Sequence, residues 1–222
     1  MVIQKTYFMF IRIGEEKYID LLQKKGHIYC NTIRYFRSIE NDNNRGDKNE
    51  GKAFIKQAKN LEVSVKGEII GTAEKAQIYF DSDKNTGNIF CIYGVESSTI
   101  DQTIISRQKV LIEEESRDFG KAALLIFDIR EFLNRISESL KALRKEFKIK
   151  PVYYFDPNTY QGKLNPYFKS NKYKHQNEVR LLIQNTEEEP FEFYIGDISD
   201  ISRKIPVSDL DKIEVEIINP TN

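Results

Sequence analysis

Residues 7–13 read Tyr-Phe-Met-Phe-Ile-Arg-Ile, an apolar and aromatic run that admits one charge, Arg12, near its end. Such a run predicts a strand. In residues 15–25 the period changes: Tyr18, Leu21 and Leu22 fall at helical spacing, acids open the segment, Lys24 and Lys25 close it, and Gly26 follows as a stop. A second strand is predicted from His27 to Cys30, leading into Tyr35-Phe36-Arg37, and residues 40–51 form a polar loop rich in Asn, Asp and Gly. Leu61, Val63 and Val65 alternate with Glu62, Ser64 and Lys66 ahead of Gly67, which predicts a β-hairpin. Further strands are expected at residues 76–80, 88–93 and 122–127.

Asp128 and Glu131 have capping-box spacing, and Ile129, Phe132, Leu133, Ile136, Leu140, Leu143 and Phe147 keep one helical face apolar. Strands are predicted again at residues 152–155, from Gln176 onward, at 191–195 and at 213–217. Many strands with two principal helices imply an α+β class. We expect one domain spanning residues 1–222, with a mainly antiparallel sheet that can be split.

The segment Gln176-Asn177-Glu178-Val179-Arg180-Leu181-Leu182-Ile183 sets a carboxylate into an apolar strand. If the strand starts at Gln176, then Gln176, Glu178 and Arg180 share one face. An ordinary solvated Glu–Arg pair is the plainer interpretation. The approach to this strand adds weight to chemistry: between Tyr160 and Arg180 the bases Lys163, Lys169, Lys172, Lys174 and Arg180 face a single acid, with Tyr160, Tyr167, Phe168 and Tyr173 interleaved. Lysines neutralise phosphates and aromatic rings stack on bases, so the segment suits a phosphate-bearing ligand.

Composition narrows the classes. The 222 residues carry 34 bases and 34 acids, so global charge marks neither a dedicated nucleic-acid binder nor an acidic tail protein. Cys30 and Cys91 each sit in an apolar or aromatic run and read as buried thiols of a reducing, cytoplasmic compartment. No signal-peptide pattern or membrane-length apolar run is present, so no membrane partner is expected. His27 and His175 lack metal-ligand spacing with the cysteines, and the loop from Asp42 misses the glycine and terminal glutamate of a calcium loop. A metal nuclease using Glu40, Asp42, Asp47 and Glu50 would need rigid supports that a loop does not offer. No metal cofactor is expected. P-loop, dinucleotide-fold and serine-elbow signatures are missing from the sequence.

Gly26-His27-Ile28-Tyr29, Tyr35-Phe36-Arg37-x-x-Glu40, Arg45-Gly46-Asp47-x-x-Glu50-Gly51, Phe119-Gly120-Lys121-Ala122 and Tyr173-x-x-Gln176-x-Glu178-x-Arg180-Leu181 together resemble AbiGi-type abortive-infection proteins of bacteria. Those are in turn similar, distantly, to the ADP-ribosyltransferase superfamily. The resemblance implies a phage-defence toxin or effector that uses NAD as substrate. It places Arg12 on the NAD pyrophosphate, Glu178 as the catalytic acid with Gln176 beside it, and Tyr29 or Tyr35 on the nicotinamide. For the serine element of the nicotinamide subsite only Asn31-Thr32 or Ser97-Ser98-Thr99 could stand in, with Thr32 taken as the cofactor-binding residue. Arg45, Lys172, Lys174 and Arg180 would meet the acceptor, with nucleic acid slightly favoured over protein.

A carboxylate on the nicotinamide ribose would stabilise the oxocarbenium-like charge that develops as the glycosidic bond breaks. The competing expectation is a non-enzymatic regulator or antitoxin that binds an operon partner, protein or nucleic acid, through residues 163–180.

Overall fold

A computed structural model describes residues 6–39, 46–81, 86–101, 106–185, 187 and 189–218. In chain order the strands are β1 (Tyr7–Gly14), β2 (His27–Thr32), β3 (Phe54–Val65), β4 (Glu68–Phe80), β5 (Asn88–Glu96), β6 (Gln108–Lys109), β7 (Ala122–Ile126) and β8 (Phe147–Pro151). They continue with β9 (Tyr153–Phe155), β10 (Gly162–Lys163), β11 (Phe168–Ser170), β12 (Glu178–Ile183), β13 (Phe191–Tyr194), β14 (Ser202–Pro206) and β15 (Glu214–Val215). The α-helices are α1 (Glu16–Lys25), α2 (Ile33–Ser38) and α3 (Ile129–Ala142). The class is α+β, and among the described residues only β9 with β11 pairs in parallel.

The main sheet has the order β13-β2-β5-β1-β7-β14, with β12 and then β8 added on the other side of β5. β5 therefore has three neighbours. Its C-terminal half pairs with β1, from Ile11↔Tyr93 to Tyr7↔Glu96, and its first residues pair with β2 through Asn31↔Ile89 and Thr32↔Asn88. Past Tyr93 the end of β1 leaves β5 and stays with β7, while the start of β2 goes with β13. The sheet is split at this point, along one edge of β5.

Local chemistry explains the helices. Gly26 takes a left-handed φ of 61° after α1, and its N–H returns to the Leu21 and Leu22 carbonyls. Asp128 accepts from the Glu131 N–H at 2.9 Å and starts α3, whose Phe132, Ile136 and Leu140 are buried. They join Ile19 and Leu22 of α1 in a core against Phe10, Phe90, Ile92, Leu124, Val179 and Leu181 of the sheet. The expected apolar stripe overshoots, because Arg144 adopts a positive φ of 54° and Phe147 begins β8 instead of extending the helix. The opposite face of the sheet packs Met9, Ile11, Ile13 and Val95 against Val110, Ile112 and Leu210.

The hairpin is far longer than the predicted turn region: β3 and β4 pair from Phe54↔Phe80 to Val65↔Glu68. Its base is anchored through Ile55, buried with Phe155 and Leu164, while Val63, Val65, Ile69 and Ile70 near the tip are exposed. Among the described residues no helix is long and apolar enough to cross a membrane.

Candidate functional site

All six residues of β12 are buried, since the strand lies between β5 and β8. Period-two alternation sends Val179, Leu181 and Ile183 into the main core, so Glu178 and Arg180 on the other face must find partners inside the protein. They find each other and more. Arg180, with 0% exposure, donates from Nε to Glu178 at 2.6 Å, from Nη1 to one oxygen of Glu50 at 2.6 Å and from Nη2 to the other at 3.1 Å. Nη1 also meets the Pro166 carbonyl. The second Glu178 oxygen accepts from Lys169 Nζ at 3.1 Å, and the same ammonium donates to Gln176 at 2.7 Å over the ring of Tyr173. Two carboxylates and two cations thus form a closed, neutral quartet.

Glu50 comes from the segment 46–51, which is held down at both ends: at Glu50 itself Arg37 Nε donates to the backbone carbonyl. The Tyr173 hydroxyl donates to the Gly46 carbonyl at 2.7 Å, and the Asp47 N–H donates to the Phe36 carbonyl at 3.0 Å. The hydroxyl of Tyr154 accepts from the Glu178 N–H at 2.9 Å, and the Cys91 thiol donates to the Glu178 carboxylate. Every face of Glu178 is occupied.

The two acids are driven apart electrostatically. Burial alone would raise Glu178, but the charges of Arg180 and then Lys169 outweigh it and hold this carboxyl well below the usual range. Burial dominates at Glu50 and raises it, because Arg180 is shared and Asp47 adds a like charge. For Lys169, burial is outweighed by Glu178 and Glu50, so the ammonium is retained.

The signs fix a pH dependence. A depressed Glu178 contributes stability above the ordinary carboxylate pKa of about 4.3 and loses it as pH falls further; a raised Glu50 contributes in the opposite sense, costing stability as it ionises. Urea unfolding at neutral pH should therefore show Glu178→Gln costing about 2–3 kcal/mol and Glu50→Gln distinctly less, with the Glu178 deficit shrinking below about pH 4. Equal costs, or a Glu178 deficit independent of pH, would contradict this account.

Several expected site residues lie elsewhere. Ile11, Tyr93 and Glu178 occupy one register row and so one face, which puts Arg12 on the opposite face with Phe10. Its guanidinium lies 4.9 Å from the Phe90 ring centroid and donates to the Cys91 carbonyl at 2.5 Å. That carbonyl sits between the last β1 pair and the first β2 pair, where the split leaves it without a strand neighbour. Arg12 and Glu178 consequently do not line a common cleft. The charge in the first strand is explained by the split it seals.

Thr32 is 8% exposed and caps α2, its hydroxyl accepting from the Tyr35 N–H at 3.0 Å. Gln176 belongs to the 3-10 helix Asn171–Gln176 and not to the strand. Arg180 and Lys169 point inward, so the basic approach is halved: Lys172 and Lys174 stay exposed while Lys169, Tyr173 and Arg180 are core. Tyr29 and Tyr35 are about half exposed, and Tyr29 lies near Tyr18, Tyr35 and Glu192. Arg45, Glu40 and Asp42 fall outside the described residues.

Sequence reasoning missed Lys169 and Cys91 as partners of Glu178, and Glu50 as the partner of Arg180. One signal was available: an arginine in a strand flanked by apolar residues requires buried acceptors, and Glu50 was among the motif acids to which the resemblance gave no role. Beside the quartet a small cleft lined by Asp47, Asn49, Lys52, Asn165, Lys169 and Ser170 admits little more than water. Among the described residues no cluster of His, Cys, Asp and Glu is arranged to hold a metal ion. No family model matches the chain, and neither a characterised protein nor a solved structure is significantly similar to it.

Proposed function

We propose that this chain acts by binding, as a non-enzymatic regulator or antitoxin of the abortive-infection kind that its motifs resemble. The observation behind this is the enclosure of Glu178. A general electrostatic catalyst must reach its substrate, and both oxygens of this carboxylate are committed to buried cations. With Arg12 on the other side of the sheet, Arg12 and Glu178 are not a pair that one dinucleotide can bridge.

NAD glycosidic cleavage is the decisive assay. Purified protein incubated with nicotinamide-labelled NAD should release no nicotinamide above the buffer rate, and Glu178→Gln should change nothing. Release by the wild-type chain that a folded Glu178→Gln variant lacks would overturn the binding reading.

Transfer of ADP-ribose remains the second reading, on one specific observation. Arg12 sits at the split of the sheet on the strand that directly precedes α1, and Tyr29 and Tyr35 stand on β2 and α2. In that reading Glu178 cannot be the acid. Glu192 on β13, paired with Tyr29 across the strands and hydrogen-bonded to His27 at 2.9 Å, is a carboxylate near Tyr29; by register it and Tyr29 stand on the sheet face opposite Arg12, so in this reading the acid acts apart from Arg12. Activity abolished by Glu192→Gln and untouched by Glu178→Gln would favour it.

A further inference from the structure

We infer that the edge formed by the end of α3 and by β8 is a docking surface for single-stranded nucleic acid. This deepens the binding reading above, for which it names a surface and a partner. In a chain of zero net charge, residues 141–150 contain Lys141, Arg144, Lys145, Lys148 and Lys150 against one acid, Glu146. Lys141, Arg144, Lys148 and Lys150 are exposed, and none of them forms an ion pair among the described residues. Several cations elsewhere are answered locally, as Arg135 is by Glu131 and Asp200, or Lys204 by Glu16 and Asp20; what sets residues 141–150 apart is how closely their unpaired cations are spaced.

Geometry makes the cluster a surface. β8 is the last strand on its side of the sheet and pairs only with β12. Lys148 and Lys150 lie opposite Leu182 and Arg180, so both emerge on one face of that edge. One aromatic ring adjoins them, and a second, packed on Phe168 with centroids 5.1 Å apart, follows through the backbone. The Tyr167 hydroxyl donates to the Lys148 carbonyl at 2.9 Å, and Lys150 lies 5.7 Å from the Tyr167 ring centroid. Tyr153, 58% exposed, donates its N–H to the Tyr167 carbonyl at 2.7 Å. Lysines that track phosphates beside an exposed ring that stacks on bases are the two components of sequence-tolerant single-strand binding. A duplex would satisfy the lysines and leave the ring unused.

Fluorescence anisotropy with a labelled oligo-uridylate tests the assignment. Reversing Lys148 and Lys150 together to Glu should weaken binding more than about tenfold and flatten the salt dependence by roughly 0.7 per lysine. Tyr153→Ala should weaken it about tenfold with the salt slope unchanged. Lys59→Glu with Lys75→Glu, an equal charge change on the hairpin, should stay within about twofold. The inference is overturned by no binding at low salt, by equal loss in the hairpin control, by an inert Tyr153→Ala, or by a duplex held as tightly as the single strand. Capture of poly-glutamate in place of the oligonucleotide would reassign the surface to an acidic protein. NAD turnover sinks the binding reading without touching these results, and failed oligonucleotide binding without NAD turnover sinks only this inference.

Discussion

Arg180→Met is expected to leave the protein unfolded at ordinary temperature. The substitution keeps the volume and apolar character that β12 tolerates, but it strands Glu178 and Glu50, two carboxylates with 4% and 2% exposure that both relied on the guanidinium. Removing one partner of a buried pair costs about 3–5 kcal/mol, and here two acids lose theirs. A loss of at least roughly 5 kcal/mol would consume most of the stability of a typical domain. Circular dichroism and urea titration measure it directly. The same logic gives an internal control: Arg180→Met combined with Glu50→Gln and Glu178→Gln removes the charges together and should regain much of the loss. A folded single variant with near wild-type stability would show that the quartet does not hold the strand in place.

Gly26→Ala carries the second largest effect. Gly26 has a φ of 61°, and a Cβ there would run into the Gly196 carbonyl oxygen and lie 2.6 Å from Ile195 Cγ1. The same backbone is pinned by the Ile195 N–H, which donates to the Gly26 carbonyl at 3.1 Å. Left-handed strain of about 1 kcal/mol therefore adds to an overpacking cost of about 1–3 kcal/mol, giving roughly 2–4 kcal/mol in urea unfolding. Gly67, at the hairpin tip, has a φ of 87° but nothing within 4 Å of its would-be Cβ. Gly67→Ala should accordingly cost only about 1 kcal/mol, the strain alone. Equal effects at the two glycines would show that the close approach to Gly196 is absent in solution.

Local signals carried most of the fold. The first helix was readable because charges, apolar spacing and a terminal glycine agreed, and α3 because Asp128 has a capping geometry that the sequence spells out. Its end was not readable: the stripe continues through Leu143 and Phe147, and only the reversal at Arg144 reveals that Phe147 belongs to a strand edge. The hairpin was seen at its tip and, through the strand expected at 76–80, on one side of its base; the other side was missed, where Lys56, Gln57 and Lys59 obscure the alternation.

The candidate site was legible as residues and not as an arrangement. Glu178 and Arg180 do share a face, as period two requires, but whether that face meets water depends on β8 and the segment 46–51 covering it. Nothing local in the sequence around Glu178 encodes the pairing of Arg180 with Glu50, so solvent-facing and enclosed versions of the same motif look alike. The inward turn of Lys169 is equally non-local. Arg12 is the converse case, a charge that looked catalytic because the irregular pairing beside Cys91 cannot be inferred from one strand.

A strand with three neighbours also dictates an order of assembly. β1 and β2 are made before β5, but its remaining long edge waits for β12. Until the chain beyond residue 183 leaves the ribosome, the half-built sheet offers an open apolar edge, a surface prone to pairing with the wrong strand during synthesis.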